Sequence, residues 1–456
     1  MRRWLLLTAF AALLAALPAL LALPASADPN IVVGAAEDAA PSADPPTART
    51  QLRLASAAAL GAARVTAQWT PGQLAPDPAV LPQYVVTAQE AAVLNIRVYL
   101  ELAPAAAPRD ELARAQFTAW AKALVLAVPH VRDVVVGSRP NDPARWAAGA
   151  AAYGELLADT YDALKSVDPG IQVIGGSLDG TQDPAGFVSR IGAWYRTSGR
   201  AAPLMDAIAL QPAYLASSEP PDTLHPSAVS IADYPRFVAR LRAAFGGTPQ
   251  PGRELPILYD GFGVQSAAPA AKAPLYTNPA APTAADAVPE AAQAAAYAKA
   301  LQLAFCQPTA RALLFQHAVD DADLAGWQSG LYYPDLTAKT SLGSVRATVR
   351  AARSGALEVC PGVTPPPAAP VLQLDTATQS VRLACDRDCF YVAGIARADG
   401  VPLRVRRGRA AGGTRARLDL GTPALPPGSY RLFVSLRSRY NAGKGVDETG
   451  EAFTIG

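Results

Sequence analysis

Charge is scarce in this chain: only 17% of its 456 residues are charged, against 50% hydrophobic, and 40 basic residues face 38 acidic ones. So balanced a chain offers no cationic face for nucleic acid and no strong pull on an anionic partner. Its length and apolar content instead supply a large buried core, in about two or three domains. Histidine is scarcer still, with His130, His225 and His317 alone, and these have neither metal-ligand spacing nor a nucleophile elbow beside them. Gly-x-Ser-x-Gly does not occur, Gly175-Gly176-Ser177 reads as a strand end, and no glycine-rich phosphate cradle is present. No metal or other cofactor is expected.

Long apolar runs are missing except at the start. Met1-Arg2-Arg3, an apolar run to about Leu23 and then Pro24-Ala25-Ser26-Ala27 follow the basic, apolar, small-residue order of a secretory signal over residues 1–27. A membrane anchor is the alternative, because a span needs roughly 18 residues, but Pro18 and the Ala-Ser-Ala exit favour cleavage. The mature chain is then expected to be secreted, to begin at Asp28 and to keep no stable membrane insertion. Cysteine is sparse, with Cys306, Cys360, Cys385 and Cys389, and an even count in an exported chain points to disulfides. Three pairings exist; Cys306 with Cys360 and Cys385 with Cys389 is the favoured one. Zinc at the second pair is disfavoured by the lack of nearby histidines.

Over residues 28–358 short apolar runs alternate with longer alanine-rich amphipathic stretches, the rhythm of parallel strands joined by helical crossovers. Strands are predicted at 31–35, 64–69, 96–102, 131–137, 172–176, 207–211, 255–259 and 312–317. Helices are predicted at 117–127, 147–166, 233–245 and 290–306. Eight such units predict an α/β fold, a (β/α)8 TIM barrel. Residues 359–370, with Pro365-Pro366-Pro367, read as a stiff linker. Beyond it, residues 371–456 show short alternating runs broken by turns, which predict a small all-β, immunoglobulin-like sandwich. That segment is net basic, with Arg404, Arg406, Arg407 and Arg409 clustered. A solvated strand face is the favoured account, contact with an anionic surface polymer the other.

Barrel chemistry sits at the C-terminal ends of the strands. There the chain reads Arg64-Val65-Thr66-Ala67-Gln68-Trp69, then Ser138-Arg139-Pro140-Asn141, Asp206-Ala207-Ile208-Ala209-Leu210-Gln211-Pro212-Ala213-Tyr214, Tyr259-Asp260-Gly261-Phe262-Gly263 and Gly326-Trp327-Gln328-Ser329-Gly330. Together these segments resemble secreted bacterial, actinobacterial-type barrel glycoside hydrolases of the large retaining clan that includes cellulases and xylosidases. The resemblance implies Asn-Glu-Pro-Asn after strand four, whose glutamate is the acid/base, and a glutamate before Phe-Gly after strand seven as nucleophile. Retention needs two carboxyl groups about 5 Å apart. At the matching positions stand Arg139 and Gly261, with Ser138 for asparagine and Gln211 for the histidine of a His-Pro-x-Tyr pattern.

The resemblance therefore implies a glycoside hydrolase-like barrel that has lost catalysis and binds a carbohydrate or cell-envelope glycan at its top through Arg64, Trp69, Arg139, Gln211, Tyr214, Trp327 and Gln328. Arg139 cannot transfer protons, since its pKa exceeds about 12; it is expected to fill the vacated pocket and pair with Glu101 or a strand-eight aspartate. Arg97, Tyr99 and Glu101 are expected to share the lumen face of strand three, and Asp260 to point toward the helices. An active hydrolase with relocated carboxylates, Glu101 with Asp320 or Asp321, is the second reading. A non-enzymatic structural or adhesive exported protein is the third. The loop over residues 266–289 is expected either to cover the mouth or to lack order.

Overall fold

The computed structural model describes residues 31–36, 41–250, 252, 255–353, 357, 371–375, 380–384, 389–398, 401–410, 415–419, 425–438 and 441–455. The expected signal segment and the proline-rich linker lie outside the described residues.

Eight parallel strands close on themselves in sequence order, β1 (Val32–Ala36), β2 (Ala62–Trp69), β3 (Arg97–Pro104), β4 (Asp133–Ser138), β5 (Gln172–Asp179), β6 (Ala207–Gln211), β7 (Ile257–Phe262) and β8 (Ala310–Phe315), with β8 pairing back onto β1. One helix follows each strand: α1 (Pro45–Ala57), α2 (Leu81–Val93), α3 (Glu111–Ala127), α4 (Gly149–Val167), α5 (Pro184–Thr197), α6 (Tyr234–Phe245), α7 (Glu290–Phe305) and α8 (Leu342–Arg353). This is the (β/α)8 barrel that the alternation predicted. Several helices open on an aspartate that accepts a first-turn N–H, as Asp44 does from Thr47 and Asp110 from Ala113.

Two apolar layers hold the barrel. Outward residues of the strands, such as Val65, Ala67, Leu100, Val134 and Val136, pack against the helices. Inside, Ala62, Tyr99, Val135, Ile174, Ala209, Leu258, Ala312 and Leu314 fill the lower lumen and close it as a core. Above this plug, toward the C-terminal ends of the strands, Arg64, Glu101 and Asp260 meet in the lumen.

Two register shifts decide what faces the mouth. One falls between Gly175 and Ser177 on β5, the other between Asp260 and Phe262 on β7. At the second, Gly261 adopts φ +89 and is taken up as an extra residue. Asp260, two residues after lumen-facing Leu258, keeps the lumen face by plain alternation, and the extra residue turns Phe262 to the helix face, where it packs edge-on against Tyr214 and Tyr297. The expectation that Asp260 points toward the helices is corrected: it takes position 261 as lumen-facing, whereas Gly261 is the bulged residue.

The 266–289 segment is held to the loop after β8. Ser266 N–H donates to Gln328 O and Thr277 N–H to Ala322 O. The Lys339 ammonium donates to Ser266 Oγ at 2.8 Å, to Asp320 Oδ1 at 2.7 Å and to Gln328 O at 3.2 Å.

Beyond the barrel come two antiparallel sheets. One has the order β13 (Arg415–Asp419), β10 (Ser380–Ala384), β9 (Val371–Asp375); the other β12 (Pro402–Ala410), β11 (Cys389–Arg397), β14 (Gly428–Ser438), β15 (Asn441–Ile455). Cross-strand partners Ile395 and Leu432, and Ala393 and Val434, are all buried, so one face of the larger sheet is apolar. The arginine cluster lies on β12. Among the described residues no helix is long and apolar enough to cross a membrane. Cys306, just past α7, is disulfide-bonded; the side chains of Cys360, Cys385 and Cys389, and with them the two pairings, lie outside the described residues.

Candidate functional site

Strand alternation carries Arg64 and Thr66 from β2, and Glu101 from β3, into the lumen above the apolar plug. Arg64 Nη1 lies 3.2 Å from Glu101 Oε2 and 3.2 Å from Asp260 Oδ2. Thr66 Oγ1 donates to Glu101 Oε2 at 3.0 Å. From the other side Ser177 Oγ donates to Asp260 Oδ2 at 2.7 Å, and Gln211 Nε2 donates to Ser177 Oγ at 3.0 Å. One polar chain thus crosses the lumen through five strands, from Thr66 to Gln211.

The two carboxylates share one guanidinium nitrogen, so the bonded oxygens are no farther apart than twice 3.2 Å. That spacing alone falls near the range for glycoside hydrolysis, roughly 5 to 10 Å between carboxyl groups. Access rules differently: Glu101 is 1% exposed and Asp260 0%, and the guanidinium fills the gap where a glycosidic oxygen would have to lie. A carboxyl that transfers a proton or attacks an anomeric carbon must touch the substrate. These two touch protein.

Arg139 stands at the end of β4 in a left-handed conformation, φ +47, with its N–H donated to Ser177 O. Its side chain lies 3.8 Å from Asp179 Oδ2, at the end of β5. The expected pairing with Glu101 or a strand-eight aspartate is corrected: the neighbouring strand supplies the carboxylate, and Arg64 already occupies Glu101. Asn141, close behind, binds its surroundings as a strut, with Nδ2 donating to Asp179 O and Gln182 O and Oδ1 accepting from Asp179 N–H. Asn141→Ala is expected to cost about 1–3 kcal/mol by leaving those buried backbone groups without partners, read as a lower urea midpoint with unchanged slope.

Three expected ligand residues do not reach the mouth. Trp69 is fully buried, its ring edge-on to Phe117 at 5.5 Å and its Nε1 donating to Gln73 O; five positions after lumen-facing Arg64, it lies on the opposite strand face. Gln328 is 2% exposed and donates through Nε2 to Asp323 O and Leu324 O. Tyr214 spends its hydroxyl on Ser217 O and Glu219 O, and burial, aided by Glu219 and Asp286, pushes its pKa up to about 12.

The proposed substitute acids separate in the same way. Asp320 is buried against Lys339, takes a further bond from Tyr276 at 2.7 Å, and burial raises its pKa while lowering that of Lys339. It secures the loops beneath the rim and does not face Glu101. Asp321 is half-exposed and accepts the Trp327 N–H at 2.6 Å.

What remains open at the top is a rim. Trp327 is 41% exposed; its carbonyl is bonded to His317 Nδ1 at 3.2 Å, and His317 Nε2 lies 3.8 Å from Asp321 Oδ1. Gln68 is exposed, and Gln211, Arg139 and Gln316 are partly so. Gln68 was not singled out from the sequence, although its even spacing from Arg64 places it on the lumen face. Asp179 was missed as well, because the β5 register shift hides its orientation from simple alternation. Among the described residues no group of His, Cys, Asp and Glu side chains is arranged to hold a metal ion.

No family profile and no curated protein matches the sequence. Several solved structures are similar in shape. A GH39 enzyme from Xanthomonas axonopodis pv. citri is 14% identical, with 86% of this chain and 92% of that one covered at a TM-score of 0.49. A monomeric beta-xylosidase from Caulobacter crescentus CB15 is 14% identical, with 86% and 94% covered at 0.47. A GH5_18 protein from Streptomyces cattleya in complex with GlcNAc is 15% identical, with 74% and 82% covered at 0.49. The barrel assignment rests on the strand order, not on these likenesses.

Proposed function

We propose that this chain is an exported, glycoside hydrolase-like barrel that binds a carbohydrate or cell-envelope glycan across its mouth without cleaving it, with an immunoglobulin-like sandwich behind the barrel. The observation that carries this reading is the division of labour at the strand ends. The lumen carboxylates are buried on Arg64, while the exposed rim carries hydrogen-bonding side chains and one large aromatic surface, Trp327. Flat aromatic rings suit the apolar faces of pyranoses, and amide and guanidinium groups suit their hydroxyls. The replacement of both expected glutamates, by Arg139 and Gly261, points the same way.

The test is calorimetry of the full chain with xylo-, cello- and N-acetylglucosamine oligosaccharides, run beside reducing-end assays on the same sugars. Binding without turnover is expected, and Trp327→Ala is expected to weaken it at least tenfold, about 1.4 kcal/mol or more, with an unchanged melting temperature because the ring is 41% exposed. Turnover that disappears in Glu101→Gln or Asp260→Asn would instead establish a hydrolase with relocated acids. Neither binding nor turnover would leave the adhesive reading, with the sandwich as the working part. Export predicts a secreted product whose N-terminus, by mass spectrometry, is Asp28.

A further inference from the structure

Beneath the rim, apart from the lumen carboxylates, an amine and a carboxyl group are held in contact out of reach of solvent. Lys339, on the stretch leading into α8, and Asp320, just after β8, are 3% and 5% exposed, and Lys339 Nζ lies 2.7 Å from Asp320 Oδ1. Tyr276, Leu324 and Tyr333 form a small buried apolar cluster. It meets the pair through the Tyr276 hydroxyl and the Tyr333 ring, whose centre is 5.7 Å from Nζ.

The surroundings suit a reaction between the two groups. Asp320 Oδ1 accepts the Gly330 N–H at 2.8 Å and Oδ2 the Tyr276 hydroxyl at 2.7 Å, so each carboxyl oxygen has a donor besides the lysine. Such donors polarise a carbonyl for attack, because they take up the charge that gathers on oxygen in a tetrahedral intermediate. On the other side, Ser266 Oγ and Gln328 O accept from Lys339 Nζ at 2.8 and 3.2 Å and hold the nitrogen against the carboxyl group. Burial outweighs the attraction within the pair, raising the Asp320 pKa and lowering that of Lys339. Both shifts favour the neutral acid and the free amine, the forms that condense. Two buried ions carry a desolvation cost that an amide does not, and reactants held in good orientation behave as if at effective concentrations of roughly 10⁵–10⁸ M.

We propose that Lys339 and Asp320 become joined by an isopeptide bond, a self-catalysed modification that closes residues 320–339 into a covalent ring. One ammonium proton passes to Oδ1 and Nζ attacks Cγ. A second proton follows to Oδ1, which leaves as water when its bond to Cγ breaks. Oδ2 remains as the amide carbonyl on the Tyr276 hydroxyl, and the nitrogen keeps one hydrogen for Ser266 Oγ. No electron transfer and no second substrate takes part. The ring contains Trp327, so the bond fixes the loop that presents it, and the modification does not depend on what the mouth binds.

The experiment is peptide mapping by mass spectrometry of the purified full chain, unfolded, reduced and digested with trypsin. Without the bond the digest releases residues 312–339. With it, cleavage after Lys339 is blocked, and the expected product is residues 312–346, lighter by one water and giving no separated fragments from breaks between 320 and 339. This linked peptide is expected to exceed the unlinked one at least tenfold. Lys339→Arg keeps the cation without the free amine and is expected to yield only the cleaved peptide at full mass. The wild-type masses need no folded variant to be read. Residues 312–339 at full mass from wild type would overturn the proposal and leave an ordinary buried ion pair. Loss of water with Lys339 still cleaved, the mark of an imide elsewhere in the peptide, overturns it as well.

Discussion

Arg64→Leu is expected to destabilise the barrel by about 3–5 kcal/mol, the range for removing one partner of a buried ionic group. The loss is large because the leucine leaves Glu101 and Asp260 buried without the cation that both bind. Urea unfolding of wild type and variant measures this directly. Replacing all three residues with apolar side chains is expected to recover most of the stability, because a buried ionic group and a well-packed apolar one are close in free energy. A variant as stable as wild type at neutral pH would mean that the ionic group is not formed.

Gly261→Glu, the substitution that would place a carboxylate at the expected nucleophile position, is expected to destabilise by about 1–3 kcal/mol and to yield no hydrolysis, even combined with Arg139→Glu. The loss comes from backbone strain, since the neighbour that a side chain would meet is the movable end of Gln316. Gly261 sits at φ +89, where side chains are rarely tolerated, and a Cβ there would stand 2.6 Å from Gln316 Oε1. The chemistry would also remain incomplete, because Asp260 and Glu101 stay locked on Arg64 below. Thermal unfolding with a reducing-end assay reads both effects. A stable double variant that releases reducing sugar would show the mouth to be an intact hydrolase frame lacking only its acids.

Particular residues show how much could be read in advance. Glu101 was placed in the lumen by counting alternate positions along Arg97, Tyr99 and Glu101, and the same count applied to β2 separates Trp69 from Arg64. Where a strand is regular, orientation is legible. Asp179 escapes that count because it lies beyond the β5 register shift, and Asp260 because the bulged Gly261 is a false reference position for the strand end; a bulge leaves no periodic trace beyond a glycine of positive φ. Chain position puts Gln328 and Asp320 near the strand-eight end, but their burial depends on Lys339 and the 266–289 loop, partners remote in sequence.

By itself the sequence determined the eight-unit barrel and the change to antiparallel strands beyond residue 370, because periodicity and turn chemistry are local properties of the chain. Only the tertiary structure decided that Arg64, not Arg139, holds the lumen carboxylates and that the rim's exposed aromatic is Trp327 and not Trp69. Those outcomes depend on which side chains converge from strands and loops far apart in the chain, and on bulges that reverse their facing. Neither distance through space nor burial is encoded in spacing along one segment.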